Sequence, residues 1–433
     1  MSFKYTEIGK IPVEWDVKMI QEIGEVVSGG TPKTKEDSYW DGNISWITPK
    51  DLSSFTERYI EVGERSITEL GLKNSSAKLL PKGTVLFSSR APIGYLAIAR
   101  KELCTNQGFK NIVCDKKYSS NEFLFYMLKA KKNKIESIAG GSTFKEVSGK
   151  VVKEFKIPIP PLNEQKAIAH ILSTLDDKIE VNNQINKTLE NMAQAIFKQW
   201  FVDFEFPNED GEPYKSSGGE MVESELGLIP KGWGVGEISD VVEFLGGFSF
   251  MSKDYLETGK YKVITIKNVL DGKFDSSSVK YLDIIPEKVK DVQKLEKGDI
   301  LMSLTGNVAR VCIVSENDCL LNQRVAKIQE KSRFSRGYIY VLFRSQLVKE
   351  ILLAIAKGTA QLNLSPVEAQ KMKIIIPCDK VIDKISVIYD SLFNLLLQST
   401  DEIKLLEKFR DSLLPKLMSG EIRVPMDEEG DAS

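Results

Sequence analysis

Residues 6–15 read TEIGKIPVEW, and residues 224–233 read SELGLIPKGW. This opening is followed in both places by the same ordered anchors, at a shift close to 217 residues. The anchors are Gly29-Gly30 and Gly246-Gly247, 47–51 and 264–268, 81–86 and 296–301, Asn106-Gln107 and Asn322-Gln323, and 156–160 and 373–377. Self-similarity at a fixed period is the sequence signature of repeated structural units. The sequence therefore predicts one scaffold that occurs twice, with the divergence between anchors giving each copy its own readout.

Each copy begins with a turn-rich block of short apolar runs, which predicts short β-strands. In the first copy a helix is expected from Asn121 to about Lys132, with Ser119 and Glu122 spaced as a capping box. An Ile-Pro-Ile-Pro-Pro run at 157–161 then forbids helix until the prolines end.

Beyond the prolines, apolar residues follow a four-three spacing in both copies, which predicts two long helices of about 38 residues, ~57 Å each. Asn182, Asn186 and Ser399 are polar interruptions that would fix the register of a helix pair. Two unrelated amphipathic helices, each packed on its own block, are the alternative, but the matching heptad phase favours mutual pairing. The ladder of the first copy is Ile168, Leu172, Leu175, Ile179, Leu189, Ala193, Ile196 and Trp200, and that of the second is Ile385, Tyr389, Leu392, Leu396, Ser399, Ile403, Leu406, Arg410, Leu413 and Leu417.

These patterns divide the chain into six segments. The predicted segments are a first globular block at 1–158, a central long helix at 159–200, an acidic linker at 201–222, a second globular block at 223–377, a distal long helix at 378–418 and an acidic tail at 419–433.

Charge distribution, cysteine content and the lack of a long apolar run indicate what kind of protein this is. The net charge is −2, but residues 1–160 carry +6 and residues 223–378 carry +3, so a polyanion would sit on the globular blocks. Five scattered cysteines and a single histidine argue against disulfides and zinc. We expect no membrane association and a cytoplasmic location, because the chain lacks a long apolar run and its first residues are charged.

Catalytic motifs are missing from the sequence. It contains no phosphate-binding loop with its lysine, no Asn/Asp-Pro-Pro-Tyr/Phe tetrapeptide of an amino-methyltransferase and no glycine-rich dinucleotide loop. His170 lies in the central helix, without a nucleophile or carboxylate placed to pair with it. We therefore expect a binding protein with no catalytic residue, metal site or cofactor of its own.

Polar and basic residues in the loops of the two blocks are candidates for DNA contacts. Arg and Lys pair with guanine, Asn and Gln pair with adenine, and hydroxyls and lysines bind phosphates. The candidates in the first block are Thr31, Lys33, Thr34, Lys35, Lys50, Ser88, Ser89, Arg90, Asn106, Gln107 and Lys110. Those in the second block are Ser249, Lys253, Lys267, Asn268, Thr305, Asn307, Asn322, Gln323, Arg324 and Lys327.

Over essentially its whole length the sequence resembles the specificity subunit of type I restriction-modification enzymes. The ordered set of motifs is specific, although no single motif is. The resemblance is carried by Ile8–Pro12 with Trp15, Gly29–Pro32, Trp46–Leu52, Ser89–Gly94, Ile157–Gln165, Phe197–Phe204 and Leu413–Gly420.

This resemblance implies an α+β fold with two similar mixed α/β target-recognition domains, separated by two long antiparallel coiled-coil helices in a pseudo-twofold repeat. It also implies a non-catalytic subunit that reads a bipartite, asymmetric site in double-stranded DNA. Two methyltransferase subunits would dock on it, and motor-nuclease subunits would join through them. The second copy departs from the pattern at Pro377-Cys378-Asp379, which puts equivalent partner contacts at the two helix entrances in doubt.

Two other functions remain open at this point. One is the recognition part of a self-contained DNA methyltransferase-endonuclease, and the other is a coiled-coil scaffold protein with no DNA role. The repeat further predicts that a chain ending near Gly219 holds one whole unit and could pair with a second copy of itself through the central helix.

Overall fold

The computed structural model describes residues 2–53, 55–90, 92–140, 145–358 and 361–424. The chain divides into two units: unit 1 comprises Met1–Val181 with Ile403–Ser433, and unit 2 comprises Asn182–Glu402. Because the divisions fall inside the two long helices, each helix contributes one part to each unit. Within the described ranges, no helix is long and apolar enough to cross a membrane.

The described residues of unit 1 form two sheets and two short strand pairs. The strands are β1 Phe3–Thr6, β2 Gly9–Pro12, β3 Asp16–Met19, β4 Gly24–Ser28, β5 Trp40–Ile47, β6 Tyr59–Ile60, β7 Arg65–Ile67, β8 Val85–Phe87, β9 Leu96–Ala99, β10 Cys104–Thr105, β11 Lys110–Cys114 and β12 Lys156–Ile159. The helices are α1 Ile20–Ile23, α2 Glu69–Lys73, α3 Asn121–Ser137, α4 Gly149–Glu154 and the first part of α5 Leu162–Phe197.

The larger sheet of unit 1 has the order β4-β11-β8-β9-β6, and a second sheet has the order β10-β5-β7. Strand β12, the Ile-Pro-Ile segment, pairs antiparallel with β3 and leads directly into α5. Helix α3 begins at Asn121, as predicted. Its N-cap residue is Ser120 and not Ser119, and no side chain caps the helix. Glu122 instead accepts a hydrogen bond from the Tyr59 hydroxyl, so the predicted capping box is wrong.

Unit 2 repeats this plan with different strand lengths. Its strands are β13 Met221–Ser224, β14 Gly227–Pro230, β15 Gly234–Glu237, β16 Val242–Gly246, β17 Tyr261–Ile264, β18 Val269–Leu270, β19 Lys273–Phe274, β20 Lys280–Leu282, β21 Lys294–Leu295, β22 Ile300–Ser303, β23 Val311–Ile313, β24 Cys319–Leu321, β25 Val325–Glu330 and β26 Lys373–Ile376. Its helices are α6 Ile238–Val241, α7 Arg336–Arg344, α8 Gln346–Ile355, α9 Pro366–Gln370 and the first part of α10 Asp379–Ser419, together with the end of α5.

Corresponding strands pair in the same way in both units. The order β16-β25-β22-β23 matches β4-β11-β8-β9, and the parallel pair of β17 with β24 matches that of β5 with β10. The pair of β15 with β26 likewise matches that of β3 with β12. Both halves of the repeat therefore share one topology, and α3 of unit 1 has α7 and α8 as its counterpart.

The two long helices pack against each other in antiparallel directions within each unit. In unit 2, the Tyr389 hydroxyl donates to the carbonyl of Ala193, and the Asn182 side chain donates to Glu402. In unit 1, Asp176 of α5 pairs with Arg410 of α10. Later residues of α5 therefore contact earlier residues of α10.

The segment predicted as a linker, 201–222, is packed into unit 2. A single π-helical turn, Lys198–Val202, follows α5. Phe204 and Phe206 are buried, and their rings lie 5.6 and 5.0 Å from the ring of Trp233. The acidic composition of the segment conceals these aromatic anchors, which tie the end of α5 to the second globular block. The predicted acidic tail lies mostly outside the described residues, which end at Val424.

The Asn-Glu-Gln motif at the entrance of α5 is used inside unit 1. Glu164 is 1% exposed and accepts hydrogen bonds from the indole of Trp15 (3.0 Å) and the guanidinium of Arg423 (2.6 Å). Gln165 is completely buried and donates to the carbonyls of Tyr118 and Pro160. In unit 2 the residue equivalent to Glu164 is Val381. The difference between the two helix entrances therefore changes internal bonding, because these side chains do not reach the surface.

Candidate nucleic-acid interface

Loops that are far apart in sequence meet at one edge of unit 1. The amide of Gly30 donates to the carbonyl of Thr105 over 2.9 Å, and the amide of Asn106 donates to the carbonyl of Ile47 over 2.9 Å. The amide of Ser89 donates to the carbonyl of Gly108 over 2.7 Å. The loops that follow β4, β5, β8 and β10 are therefore neighbours, and they carry all the predicted contact residues of the first block except Lys110, which begins β11.

Three exposed lysines lie on the outer face of this edge. Lys33, Thr34, Lys35, Lys50 and Gln107 are exposed. Lys50 forms an ion pair with Glu64 at 2.6 Å, and the hydrogen bond to this carboxylate raises the pKa of Lys50. The other two lysines form no ion pair with a described residue, so their charges are available to a polyanion.

Gln107 is oriented by a neighbouring loop. The Thr31 hydroxyl donates a hydrogen bond to the Gln107 side-chain oxygen. Asn106 is half-buried, and its side-chain oxygen accepts from the amide of Gly108 at 2.9 Å. Asn106 therefore stabilises the turn that presents Gln107.

Three other predicted contacts of unit 1 are used internally. Ser88 and Ser89 are completely buried. The Ser88 hydroxyl accepts from the amide of Tyr95 and donates to the carbonyl of Pro92, whereas Ser89 donates to the carbonyl of Gly108. The Lys110 side chain is 11% exposed and lies 3.9 Å from Glu146. The structure gives the two serines a structural role in place of the contact role suggested by the sequence, because their hydroxyls do not reach the surface.

The same loops meet at the corresponding edge of unit 2. The amide of Gln323 donates to the carbonyl of Phe248 over 3.0 Å, and the amide of Asn322 donates to the carbonyl of Ile264 over 3.1 Å. The amide of Leu304 donates to the carbonyl of Arg324 over 3.0 Å. Exposed candidates at this edge are Ser249, Lys253, Lys267, Asn307, Gln323 and Arg324, with Thr305 half-buried.

Polar residues with a structural role occur here as well. Asn268 is completely buried, accepts hydrogen bonds from the amide and hydroxyl of Thr265, and donates to the carbonyl of Asp275. Asn322 is 8% exposed and accepts from the amide of Arg324. Lys327 forms an ion pair with Asp299 at 2.9 Å, with the two side chains 14% and 3% exposed. These three residues hold the loops in place, which corrects their assignment as DNA contacts.

Sequence reasoning missed one element of each edge, a pair of backbone bridges just before the last short helix of the block, α4 in unit 1 and α9 in unit 2. In unit 1, Glu146 pairs with Gly140 and with Arg90. In unit 2, Asn363 pairs with Lys357 and with Thr305. Glu146 and Asn363 are separated by 217 residues, so the repeat was the signal that could have identified both sets of bridges. A carboxylate on one edge thus stands where the other edge has an amide.

The polar positions of the helix pair also come together within unit 2. The side-chain nitrogen of Asn182 donates to Glu402 over 2.9 Å, and the Ser399 hydroxyl donates to the carbonyl of Asn182. The side-chain oxygen of Asn186 is buried and accepts no hydrogen bond from a described residue. Among the described residues there is no cluster of His, Cys, Asp and Glu that could hold a metal ion.

Comparisons with known proteins agree with this architecture. The family model described as the type I restriction modification DNA specificity domain matches the chain twice, at residues 12–191 and 230–407. The MjaIX specificity subunit of a type I restriction enzyme from Methanocaldococcus jannaschii is 39% identical over 98% of this chain and 96% of that protein. The EcoKI specificity subunit from Escherichia coli K12 is 21% identical over 96% of this chain and 90% of that protein.

A solved structure shows the same fold. The type I restriction-modification S subunit from M. genitalium superposes with a TM-score of 0.54 at 17% identity, over 99% of this chain and 100% of that one. The predicted fold class, α+β with a repeated domain and long helices, is confirmed. The repeated edges, the paired helices and the double match lead to one conclusion: this chain belongs to the family of type I restriction-modification specificity subunits.

Proposed function

We propose that this chain is the non-catalytic subunit that selects the DNA sequence for a type I restriction-modification complex, with each unit reading one half of a bipartite site. The observation that carries the proposal is the pair of loop edges. Both are built from corresponding strand ends, yet they present different exposed side chains.

The chemistry of the exposed side chains suits double-stranded DNA. Lys33, Lys35, Lys253 and Lys267 would contact phosphates, which fixes position without reading sequence. Gln323 offers a side-chain amide that can bind adenine in the major groove through two hydrogen bonds, and Gln107, whose oxygen accepts from Thr31, offers its amide nitrogen as a donor. Because the remaining exposed residues differ between the units, the two half-sites would differ in sequence and the full site would be asymmetric.

Catalysis would belong to partner proteins. The sequence contains none of the motifs that bind AdoMet or ATP, so methyl transfer and translocation would be supplied by two methyltransferase subunits and by motor-nuclease subunits that join through them. Such partners and their DNA substrate would place the complex in the cytoplasm. The small basic excess of each block suggests that partner subunits also supply much of the neutralisation of the DNA backbone.

The test is a reconstitution with labelled AdoMet and DNA. The chain alone should transfer no methyl groups, whereas the chain together with the methyltransferase subunits of its own system should methylate one bipartite sequence. Methyl transfer by the chain alone would favour a self-contained methyltransferase-endonuclease. A reconstituted complex whose methylation is independent of this chain would favour a scaffold with no DNA role.

A further inference from the structure

A charged pair lies inside the helix pair of unit 1. One oxygen of Asp176 in α5 accepts a hydrogen bond from Arg410 of α10 over 2.7 Å, and the other accepts one from the Tyr126 hydroxyl over 2.7 Å. The side chains of Asp176 and Arg410 are only 7% and 14% exposed. Burial alone would lower the pKa of Arg410, but hydrogen bonds to Asp411 and Asp176 outweigh it and raise this pKa. Arg410 is therefore charged and depends on a buried carboxylate.

The repeat places apolar residues at the equivalent positions of unit 2. Asp176 corresponds to Phe393 and Arg410 corresponds to Ala193, each at a shift of 217 residues. Phe393 and Ala193 are 5% and 4% exposed, and they line one small apolar cavity. The Phe393 ring also packs edge-on against Tyr340, with ring centres 5.8 Å apart. An ion pair in unit 1 thus stands where unit 2 has an apolar contact.

We propose that these two contacts form a pairing code, which matches α5 with α10 of the same chain and rejects pairing of either helix with its own copy in a second chain. In an antiparallel pair of two α5 helices, Asp176 would face Ala193, because Ala193 occupies the position of Arg410. In a pair of two α10 helices, Arg410 would face Phe393. Each such pair would remove the opposite charge that the other helix supplies, leaving Asp176 with only the Tyr126 hydroxyl and Arg410 with only the neighbouring Asp411, which is unfavourable for buried charges.

The polar contact between Asn182 and Ser399 does not discriminate in this way. Asn182 and Ser399 are equivalent residues and already contact each other, so replacement of one by the other leaves a short polar side chain at the same level. Asp176 and Arg410 form the buried charged contact that discriminates between the pairings.

The pairing code has a consequence for function. Two chains joined through their central helices would present two copies of unit 1, and such a pair would read a palindrome under the proposed function. The sequence-based expectation that residues 1–219 pair with a second copy takes no account of Asp176, and the code disfavours that pairing. The pairing code therefore keeps one copy of each unit in every molecule.

The test uses full-length chains carrying two different tags and co-expressed in one cell. Wild-type chains should not co-purify above background. The double variant R410A/A193R reverses the code, because Asp176 then faces Ala within the chain but matches Arg at position 193 of a second chain. The co-purified fraction should rise by about tenfold or more.

Two further variants separate the code from folding. R410K preserves the ion pair and should behave as the wild type does. The neutral double variant D176N/R410Q should remain soluble, and its differently tagged chains should co-purify more than wild-type chains do. It decides the question if R410A/A193R is insoluble. Co-purification of R410A/A193R, or of D176N/R410Q in its place, at the wild-type level would overturn the proposal. Co-purification of wild-type chains at the level of R410A/A193R would also overturn it.

Discussion

The Ser399 hydroxyl donates a hydrogen bond to the backbone carbonyl of Asn182 over 3.5 Å, and the two residues occupy equivalent positions 217 residues apart. Asn182 is 2% exposed, and its side chain also donates to Glu402 over 2.9 Å. A buried polar position in a helix pair favours one register, because a shifted register leaves its groups without partners.

Replacement of Asn182 by leucine should therefore separate stability from register. N182L should keep or raise the melting temperature by a few degrees, because the apolar ladder becomes continuous. Its partner Glu402 is exposed and can be hydrated. Cysteine cross-linking between α5 and α10 should then report more than one register. N183L, at an exposed neighbouring position, is the control. A single register in N182L would show that Asn182 does not specify the alignment.

Glu164 should be a major stabilising residue of unit 1. Its carboxylate accepts three hydrogen bonds, one from the indole of Trp15 and two from Arg423. E164A should lower the free energy of unfolding by ~3 kcal/mol, because it leaves a buried indole N–H and a partly buried guanidinium without their acceptor. E14A removes only an exposed contact with Arg423 and should change little. Urea unfolding followed by tryptophan fluorescence measures both, and equal losses would contradict this assignment.

Lys33 and Lys35 should contribute to DNA affinity without contributing to specificity. In the assembled complex, K33A/K35A should weaken binding to specific and non-specific DNA alike and should reduce the slope of log K against log salt by roughly two. K4A/K10A removes the same charge from the β1–β2 hairpin and serves as the control. A loss confined to the specific sequence would indicate that these lysines read bases.

Two adjacent residues of unit 2 should behave in opposite ways. N268A removes a buried side chain with three hydrogen bonds and should lower the free energy of unfolding by about 2 kcal/mol. K267A should leave stability unchanged and weaken DNA binding, because Lys267 is exposed. If K267A destabilises the protein as much as N268A does, the exposed edge of unit 2 has been assigned wrongly.

The sequence predicted the repeat, the long helices and the loops that meet at each edge, because period and anchor order survive divergence. It did not predict which polar side chains point inward. Asp51 and Asn268 each accept hydrogen bonds from the amide and hydroxyl of a threonine three residues earlier. These two equivalent residues thus hold the same turn in both copies. The repeated Gln107 and Gln323 are exposed, so repetition alone does not separate scaffold residues from candidate contacts.

Other features had no comparable signal. The packing of Phe204 and Phe206 on Trp233 is concealed by the acidic residues around them. The ion pair of Asp176 with Arg410 depends on which faces of two distant helices meet, and heptad spacing alone does not specify the charged partner.

The central claim, that each unit reads its own half of the site, is tested most directly by sequencing methylated DNA from cells that carry the complex with substitutions in one unit at a time. T34A/Q107A alters exposed residues of unit 1, and N307A/Q323A alters exposed residues of unit 2. Each variant should relax base preference in one half-site only, by ~1–3 kcal/mol at the affected base pairs, and the two variants should affect opposite halves. Relaxation of both half-sites by either variant, or of the same half-site by both, would contradict the account.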